Sequence, residues 1–264
     1  MKELPYANKS LGQHWLTDFM SLSAMCEAVD VKDGDTVLEV GPGLGTLTEL
    51  LCERADRVIA VEFDKKLAKE LPGRVPESNL EVVEQDILSF DLTSLPAGYK
   101  LVANIPYYLT SNLIRVLSES SNPPVAAAIL IQKEVAERVA AKPGSMSLLS
   151  VTAQYYWEAS LGLVMPAHLF TPPPKVDSQI LILNRRNEPL FPDVDVKQFF
   201  RLVKAGFSNR RKTLLNSLNG GLQLAKPAVQ EILDQATIKP TARPQELSLQ
   251  EWYSLYKVVS NRAQ

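Results

Sequence analysis

Cysteine and long apolar runs are scarce in this sequence, and each scarcity excludes a class of protein. The two cysteines, Cys26 and Cys52, are too few for a disulfide framework and have no metal-ligand or redox spacing. The longest wholly apolar run, residues 125–131, has seven residues, whereas a membrane-spanning helix needs roughly 20. The amino-terminal residues lack the apolar stretch of a secretory signal, so we expect a cytoplasmic protein that spans no membrane.

The remaining composition is that of a globular protein with one large or two modest domains. Of 264 residues, 45% are hydrophobic and 22% charged, which excludes collagen-like, disordered and coiled-coil chains. Residues 190–264 carry 11 basic and 6 acidic side chains (net +5), and residues 1–189 carry 17 and 24 (net −7). Residues 196–230 contain seven basic side chains and no acidic one. Such a basic segment is compatible with contact to an anionic polymer and equally with a solvated helix face.

Apolar runs and helical patterns alternate along most of the chain and predict an α/β fold. The predicted strands are residues 36–40, 58–63, 80–83, 101–103, 126–131, 148–156 and 179–183. These runs do not alternate strictly, so we expect a mostly parallel sheet buried on both faces, with an antiparallel edge where the last two strands lack an intervening helix. From about residue 190 the pattern is helical only, which predicts domains at 1–187 and 188–264.

A glycine loop follows the first predicted strand and precedes a helix. Gly41, Gly43 and Gly45 stand in the sequence Val-Gly-Pro-Gly-Leu-Gly. Glycines at this place let a ligand lie against bare backbone at the carboxyl end of a parallel strand. A dinucleotide fingerprint requires glycine at its sixth position, where this chain has Thr46, so the loop disfavours NAD. A tight structural turn is the alternative explanation.

Acidic residues end the next two predicted strands, and together with the glycine loop they indicate a nucleoside-binding site. Glu62 lies 17 residues after Gly45 and can accept hydrogen bonds from both ribose hydroxyls of an adenosine. Asp64 is better explained as the N-cap of the next helix. Asp86 can accept a hydrogen bond from the adenine amino group, while Ile87 forms a wall beside the ring. Each acid alone could be a helix cap, but their succession favours a nucleoside pocket.

The fourth predicted strand ends in a tetrapeptide suited to adenine methylation. The exocyclic nitrogen of adenine is a poor nucleophile because its lone pair is delocalised into the ring. Two acceptors, the Asn104 amide oxygen and the Ile105 carbonyl, can draw this nitrogen towards a nucleophilic geometry. Pro106 stiffens the turn, and Tyr107 can stack on a base removed from its helix. The alternative is a proline turn with a core tyrosine. We expect no metal site, because no ligand cluster is evident.

Five motifs together resemble one family, the bacterial small-subunit ribosomal RNA adenine dimethyltransferases (KsgA/RsmA family). They are Leu-Gly-Gln-His-Trp-Leu at 11–16, Glu-Val-Gly-Pro-Gly at 39–43, Asn-Ile-Pro-Tyr at 104–107, Gln-Lys-Glu-Val-Ala-Glu-Arg at 132–138 and Phe-Thr-Pro-Pro-Pro-Lys-Val-Asp-Ser at 170–178. The resemblance implies a Rossmann-like seven-stranded methyltransferase sheet with a small all-helical carboxyl-terminal domain. It also implies S-adenosyl-L-methionine as cofactor. The implied substrate is N6 of two adjacent adenines near the 3′ end of small-subunit ribosomal RNA, in a pre-ribosomal small subunit. For the protein itself, a monomer is the default expectation.

The same resemblance assigns roles to individual residues. It implies a cofactor pocket lined by His14, Leu16, Gly41, Glu62, Asp86 and Asn104. Many members have Asn in place of His14, so a contact through side chain or through backbone stays open. Phe170 would face Tyr107 across the target adenine; its alternative role is that of a core anchor. His168 matches no known role.

Basic residues of the carboxyl-terminal part are expected to hold the RNA. Arg210, Arg211 and Lys212 are predicted to contact RNA phosphates, which position a substrate without reading its sequence. Two other functions are compatible with the sequence. One is the related large-subunit adenine methyltransferase class that confers antibiotic resistance; the other is a ribosome-assembly factor that acts mainly by binding.

Overall fold

The chain folds into two units, each with its own hydrophobic core. The computed structural model describes residues 12–188, 190–209 and 211–262. The first unit consists of residues up to 137 and residues 157–185, and the second of residues 138–156 and those from 186 onward. These units differ from the predicted domains, 1–187 and 188–264, because residues 138–156 group with the second unit.

A mixed sheet forms the centre of the first unit. Its strands, within the described part of the chain, are β2 (Thr36–Val40), β3 (Arg57–Glu62), β4 (Leu80–Glu84), β5 (Lys100–Asn104), β6 (Ala126–Gln132), β7 (Trp157–Met165) and β9 (Ser178–Arg185). They lie in the order β4-β3-β2-β5-β6-β9-β7. Two short strands, β1 (Trp15–Leu16) and β8 (Phe170–Thr171), pair with each other outside this sheet.

The sheet is parallel where the predicted ligand loops lie and antiparallel at one edge, as expected from the sequence. Strands β2, β3, β4, β5 and β6 run parallel, whereas β9 pairs antiparallel with both β6 and β7. In the register of β2, Val40 is opposite both Val61 and Ala103. The carboxyl ends of β2, β3 and β5 therefore meet at one edge, which brings their following loops together.

Helices follow the strands as the crossover rule for parallel strands requires. Their bounds are α1 (Phe19–Glu27), α2 (Thr46–Arg54), α3 (Lys65–Arg74), α4 (Thr110–Glu119) and α5 (Lys133–Val139). Asp18 caps α1, and Asp64 caps α3 by accepting from two backbone N–H groups, which confirms the cap predicted at Asp64. Packing of α1 and α2 on the sheet completes one core, in which Met25, Leu51 and Val58 are fully buried.

The second unit is helical. It contains α6 (Leu148–Tyr156), α7 (Val196–Gly206), α8 (Leu214–Leu222), α9 (Lys226–Gln235) and α10 (Leu249–Arg262). The strand predicted at 148–156 is wrong, because this segment is α6. Val151 and Tyr155, one helical turn apart, are buried on one face of α6, and the Tyr155 ring packs 5.3 Å from that of Phe199. No helix in the described residues is long and apolar enough to cross a membrane.

Candidate active site

A cavity of about 330 Å³ opens where β2, β3 and β5 end. Its lining includes every residue that the sequence predicts for the cofactor and the reaction: His14, Leu16, Gly41, Gly43, Glu62, Asp86, Ile87, Asn104, Ile105, Pro106, Tyr107 and Phe170. All of these belong to the first unit. Its size lies within the range usual for small-molecule and cofactor sites.

The glycine loop forms one wall of the cavity, and its backbone requires glycine. The Gly41 N–H donates to the Val61 carbonyl at 2.9 Å, which fixes the loop against β3. Gly43 has a φ of +56°, and a Cβ there would lie 2.8 Å from the Trp15 ring. A side chain at this position is thus both strained and excluded by its neighbour, so the backbone stays bare towards the cavity.

Glu62, at the end of β3, connects the glycine loop to the next helix. One carboxylate oxygen accepts from the Gly43 N–H at 3.1 Å, and the other accepts from the Asp64 N–H at 2.8 Å. The side chain is 6% exposed, and burial raises its pKa above the usual value. Since each carboxylate oxygen has two lone pairs, both oxygens keep acceptor capacity for a ligand hydroxyl.

Asp86 caps a short turn and also lines the cavity, so the cap that the sequence offered as an alternative does not remove it from the site. One of its oxygens accepts from the Leu88 N–H at 2.9 Å and so caps the short 3₁₀ turn Ile87–Ser89. The residue also lines the cavity, beside the buried side chain of Ile87. A cap that uses one oxygen leaves the other for a ligand.

Glu39, inside β2, is a cavity residue to which the sequence reasoning gave no separate role. It is 1% exposed, and its Oε2 has no hydrogen-bond partner among the described residues. Burial raises its pKa to about 8, and the neighbouring charge of Glu62 acts in the same direction. A carboxyl group in a strand buried on both faces is unusual, and this pattern was the available signal. With a pKa of about 8 this carboxyl group is mostly neutral at pH 7, so it offers a ligand hydrogen bonds and not a full negative charge.

The Asn-Ile-Pro-Tyr tetrapeptide forms the turn after β5. Asn104 ends the strand, and Pro106 precedes the 3₁₀ turn Tyr107–Leu109, in which the Leu109 N–H donates to the Pro106 carbonyl at 3.0 Å. Within the described residues, the Asn104 carboxamide makes no hydrogen bond, so its oxygen is available to a ligand in the cavity. The predicted acceptor of an adenine amino group is therefore present and unused.

Tyr107 is held by contacts from residues distant in sequence. Its hydroxyl lies 2.9 Å from the Oγ of Ser178, the fully buried first residue of β9. The ring of His14 stacks at a centroid distance of 6.0 Å. His14 Nδ1 lies 2.6 Å from the Pro172 carbonyl oxygen, and because that oxygen can only accept, Nδ1 carries the hydrogen. Burial raises the pKa of Tyr107, so its hydroxyl remains protonated at neutral pH.

Phe170 occupies the first position of β8, opposite Leu16. It is 4% exposed, packs in the core of the first unit and also lines the cavity. Phe170 is therefore a core residue and also a wall of the cavity, while its contact with the target adenine stays a prediction.

Two of the three predicted RNA contacts lie in the turn between α7 and α8. Arg210 lies outside the described residues, whereas Arg211 and Lys212 are both exposed. In the described part of the chain, no group of three or more His, Cys, Asp or Glu residues could hold a metal ion.

The family becomes clear when the whole chain is compared with known proteins. The model of the family described as "Ribosomal RNA adenine dimethylase" matches residues 5–260. This chain belongs to that family. Membership confirms the resemblance found in the sequence, the predicted enzyme class and S-adenosyl-L-methionine as the cofactor. Ribosomal RNA is the substrate class of this family.

Curated relatives and solved structures cover nearly all of this dimethylase. "Ribosomal RNA small subunit methyltransferase A" of Dehalococcoides mccartyi (strain CBDB1) is 42% identical over 94% of this chain and 87% of its own length. The protein of the same name from Shouchella clausii is 41% identical over 94% and 88%. The structure of a dimethyladenosine transferase from Plasmodium falciparum superimposes with a TM-score of 0.83 at 26% sequence identity, over 95% of this chain and 98% of its own. The structure of the 23S rRNA methyltransferase ErmE superimposes with a TM-score of 0.76 at 29% sequence identity, over 93% of this chain and 99% of its own.

The cavity of the dimethylase fits its cofactor chemically. S-adenosyl-L-methionine carries a sulfonium and an ammonium group, and the carboxyl groups of Glu62 and Asp86 line the cavity. The backbone at Gly43 also lines the cavity and carries no side chain, because a Cβ there would lie 2.8 Å from the Trp15 ring. Acidic groups and exposed peptide dipoles favour a cationic nucleoside over an anionic dinucleotide.

Proposed function

We propose that this dimethylase methylates N6 of two adjacent adenines near the 3′ end of small-subunit ribosomal RNA, giving N6,N6-dimethyladenosine. Its substrate is a pre-ribosomal small subunit in the cytoplasm, and it acts as a monomer. The observation that carries the proposal is the unpaired Asn104 carboxamide in a cavity that also contains Glu39 and Glu62. The names of the curated relatives support the small subunit as the source of the RNA.

The cofactor would be held by the loops at the ends of β2, β3 and β4. Glu62 would accept hydrogen bonds from the ribose hydroxyls, and Asp86 from the adenine amino group, with Ile87 against the ring. The backbone at Gly41 and Gly43 would lie along the cofactor. His14 and Leu16 would line the cofactor pocket. When bound, the cofactor would supply an electrophilic methyl group on a sulfonium, from which a neutral thioether leaves when the S–CH₃ bond breaks.

The target adenine would be oriented by the turn after β5. The Asn104 amide oxygen and the Ile105 carbonyl would accept from the two N6 hydrogens and so direct the nitrogen lone pair at the methyl group. Tyr107 would stack on one face of the base and Phe170 would close the other side. Pro106 keeps the turn rigid. The protein thus contributes alignment and electrostatics, without a covalent intermediate.

Contacts to the RNA backbone would come from the turn between α7 and α8. Arg210, Arg211 and Lys212 are proposed to bind phosphates. We expect Arg211→Ala to weaken RNA binding and reduce its salt dependence while cofactor affinity stays unchanged. An unchanged RNA affinity across a salt series would remove Arg211 from the interface.

Methyl-labelled cofactor and purified ribosomal subunits provide the direct test. The wild-type protein should label unmethylated small subunits, and nucleoside mass analysis should identify N6,N6-dimethyladenosine. Label on the large subunit instead would assign the chain to the large-subunit class, to which the fold is also similar. Asn104→Ala should lower the rate at least 10²-fold, roughly the effect of removing one positioned transition-state group.

A second measurement separates methylation from assembly. A strain that lacks the protein is complemented with wild type or with Asn104→Ala, and small-subunit assembly is followed by sedimentation. If Asn104→Ala loses methylation but restores assembly fully, binding is the activity that the cell requires. If assembly fails together with methylation, the transfer reaction is the essential one.

A further inference from the structure

Three basic side chains occupy one exposed face of α7. Lys197, Arg201 and Lys204 are spaced by four and then three residues, which places them on one side of a helix. At 1.5 Å rise per residue, the three positions span roughly 10 Å along the axis. We call this set the α7 basic stripe. It belongs wholly to the second unit and contains none of the residues assigned above to RNA or cofactor.

The α7 basic stripe has no carboxylate partners. Among the described residues, none of its three side chains forms an ion pair or a side-chain hydrogen bond. Other helices of this chain show the opposite arrangement. Arg115 pairs with Glu119 on α4, and Glu70 accepts from Arg74 on α3, both at i,i+4 spacing. Arg115 and Arg74 are thus each neutralised by a carboxylate on the same helix, whereas the three cations of the stripe are not.

This arrangement opposes the stability of α7. Like charges at i,i+3 and i,i+4 destabilise a helix by roughly 0.2–0.5 kcal/mol per pair. The helix dipole disfavours Lys197 in the first turn but favours Lys204 in the last turn, so it does not offset the repulsion between neighbouring cations. No carboxylate of the described residues compensates the repulsion among the three cations, and an external anion bound to them would relieve it.

The opposite face of α7 shows which kind of anion fits. Phe199, Leu202 and Val203 are buried in the core of the second unit. The helix therefore has no apolar face to insert between lipids, as a surface-bound amphipathic helix needs. The stripe also precedes the exposed Arg211 and Lys212, which follow α7 in the same acid-free stretch. A phosphate backbone fits a row of cations without apolar neighbours.

We propose that the α7 basic stripe is a binding surface for the phosphate backbone of ribosomal RNA. This inference rests on the proposed function, because it takes the RNA substrate as given. Arg201, at the centre, can bind one phosphate through two parallel N–H groups, whereas Lys197 and Lys204 act as point charges on either side. The surface positions the substrate and does not read its sequence.

The test measures binding to unmethylated small subunits across a salt series. The triple variant K197Q/R201Q/K204Q should reduce the slope of log Kobs against log salt by roughly 2 to 3, since each phosphate contact contributes roughly 0.7–0.9. The KM for small subunits should rise. The kcat at saturating subunits and the Kd for S-adenosyl-L-methionine should match those of the wild type. Because the three side chains are exposed and without partners, the unfolding midpoint should not fall.

The matched control changes the same charges where they are already paired. R57Q/K65Q/K66Q also removes one arginine and two lysines, each of which pairs with a carboxylate: Glu81, Glu84 and Glu70 respectively. Its salt slope and KM should equal those of the wild type. An equal loss in both triple variants would mean that only net charge matters and would overturn the proposal.

Arg201→Lys separates geometry from charge. If Arg201 binds a phosphate through two N–H groups, this variant keeps the salt slope but weakens binding measurably. A wild-type affinity for Arg201→Lys would overturn the two-pronged contact. If wild type methylates small subunits while K197Q/R201Q/K204Q keeps its slope and KM, the stripe proposal fails and the proposed function stands. If K197Q/R201Q/K204Q loses binding only to phosphatidylserine vesicles, a membrane is the partner and the RNA assignment is wrong.

Discussion

The hydrogen bond between Tyr107 and Ser178 gives a quantitative test of how the cavity is organised. Ser178 is fully buried, and its Oγ lies 2.9 Å from the Tyr107 hydroxyl. Ser178→Ala leaves that hydroxyl without its partner, which costs about 1–3 kcal/mol. If the bond holds the ring for the target base, the cost falls on the transition state and lowers kcat roughly 5- to 150-fold. Cofactor affinity should stay unchanged.

A double-mutant cycle shows whether the two residues act together. Tyr107→Phe keeps the ring but removes the hydroxyl, so Ser178→Ala/Tyr107→Phe removes both partners and leaves neither unsatisfied. The double variant should therefore be no slower than either single variant, with a coupling energy of at least about 1 kcal/mol. The assay is single-turnover methyl transfer to unmethylated small subunits.

Loss of a buried serine elsewhere provides the control for stability. Ser150 is also fully buried, and it donates to the Arg138 carbonyl within the second unit. Ser150→Ala should lower the unfolding midpoint without lowering kcat. A wild-type turnover rate of Ser178→Ala, or additive losses of the two single variants in the double variant, would show that this hydrogen bond does not position Tyr107 for the reaction.

Three further predictions concern the cofactor pocket. Gly43→Ala should abolish cofactor binding measured by calorimetry, because the added methyl group would collide with the Trp15 ring. The control is Gly98→Ala, which has a φ of +85° but open space around it, and which should cost only backbone strain. Equal cofactor affinity in the two variants would contradict this prediction. The pKa of Glu39 is about 8 in the folded protein, against a usual value of 4.5 that we take for the unfolded chain. Because the folded state binds this proton more tightly, Glu39 contributes its full stabilisation below pH 4.5 and loses it as the pH rises to about 8. The unfolding midpoint should fall over this window in wild type and less steeply in Glu39→Gln, and parallel curves would exclude an ionisable Glu39. Glu62→Gln turns an amide NH₂ towards one of two backbone N–H donors, and should weaken cofactor affinity roughly tenfold or more; an unaltered Kd would remove Glu62 from the cofactor site.

Most of the site was predictable because its signals are local. The glycine loop, the acids that end β3 and β4, and the tetrapeptide after β5 each lie within a few residues of a strand end. Parallel strands bring such ends to one edge, so the loops converge whatever the packing elsewhere. The N-caps at Asp18 and Asp64 were predictable for the same reason, since a cap acts on its own first turn.

Burial and secondary structure of ambiguous segments were not predictable in this way. Apolar, β-branched and aromatic residues in 148–156 suit a strand, but packing of Tyr155 beside Phe199 stabilises α6. The strand that completes the antiparallel edge, β7, begins only at Trp157. Glu39 is conspicuous in the sequence, yet its raised pKa depends on how completely the neighbouring elements exclude water.

The sequence by itself determined the family, the order of the ligand loops and the chemistry that they offer, because these depend on residue type and short spacing. Tertiary structure alone decided the contacts between distant segments. Ser178 lies 71 residues from Tyr107, and His14 lies 158 residues from Pro172, and no local pattern links either pair. Such pairs form only when β1 meets β8 and β9 enters the sheet, since the free energy that joins them comes from the packing of the whole unit.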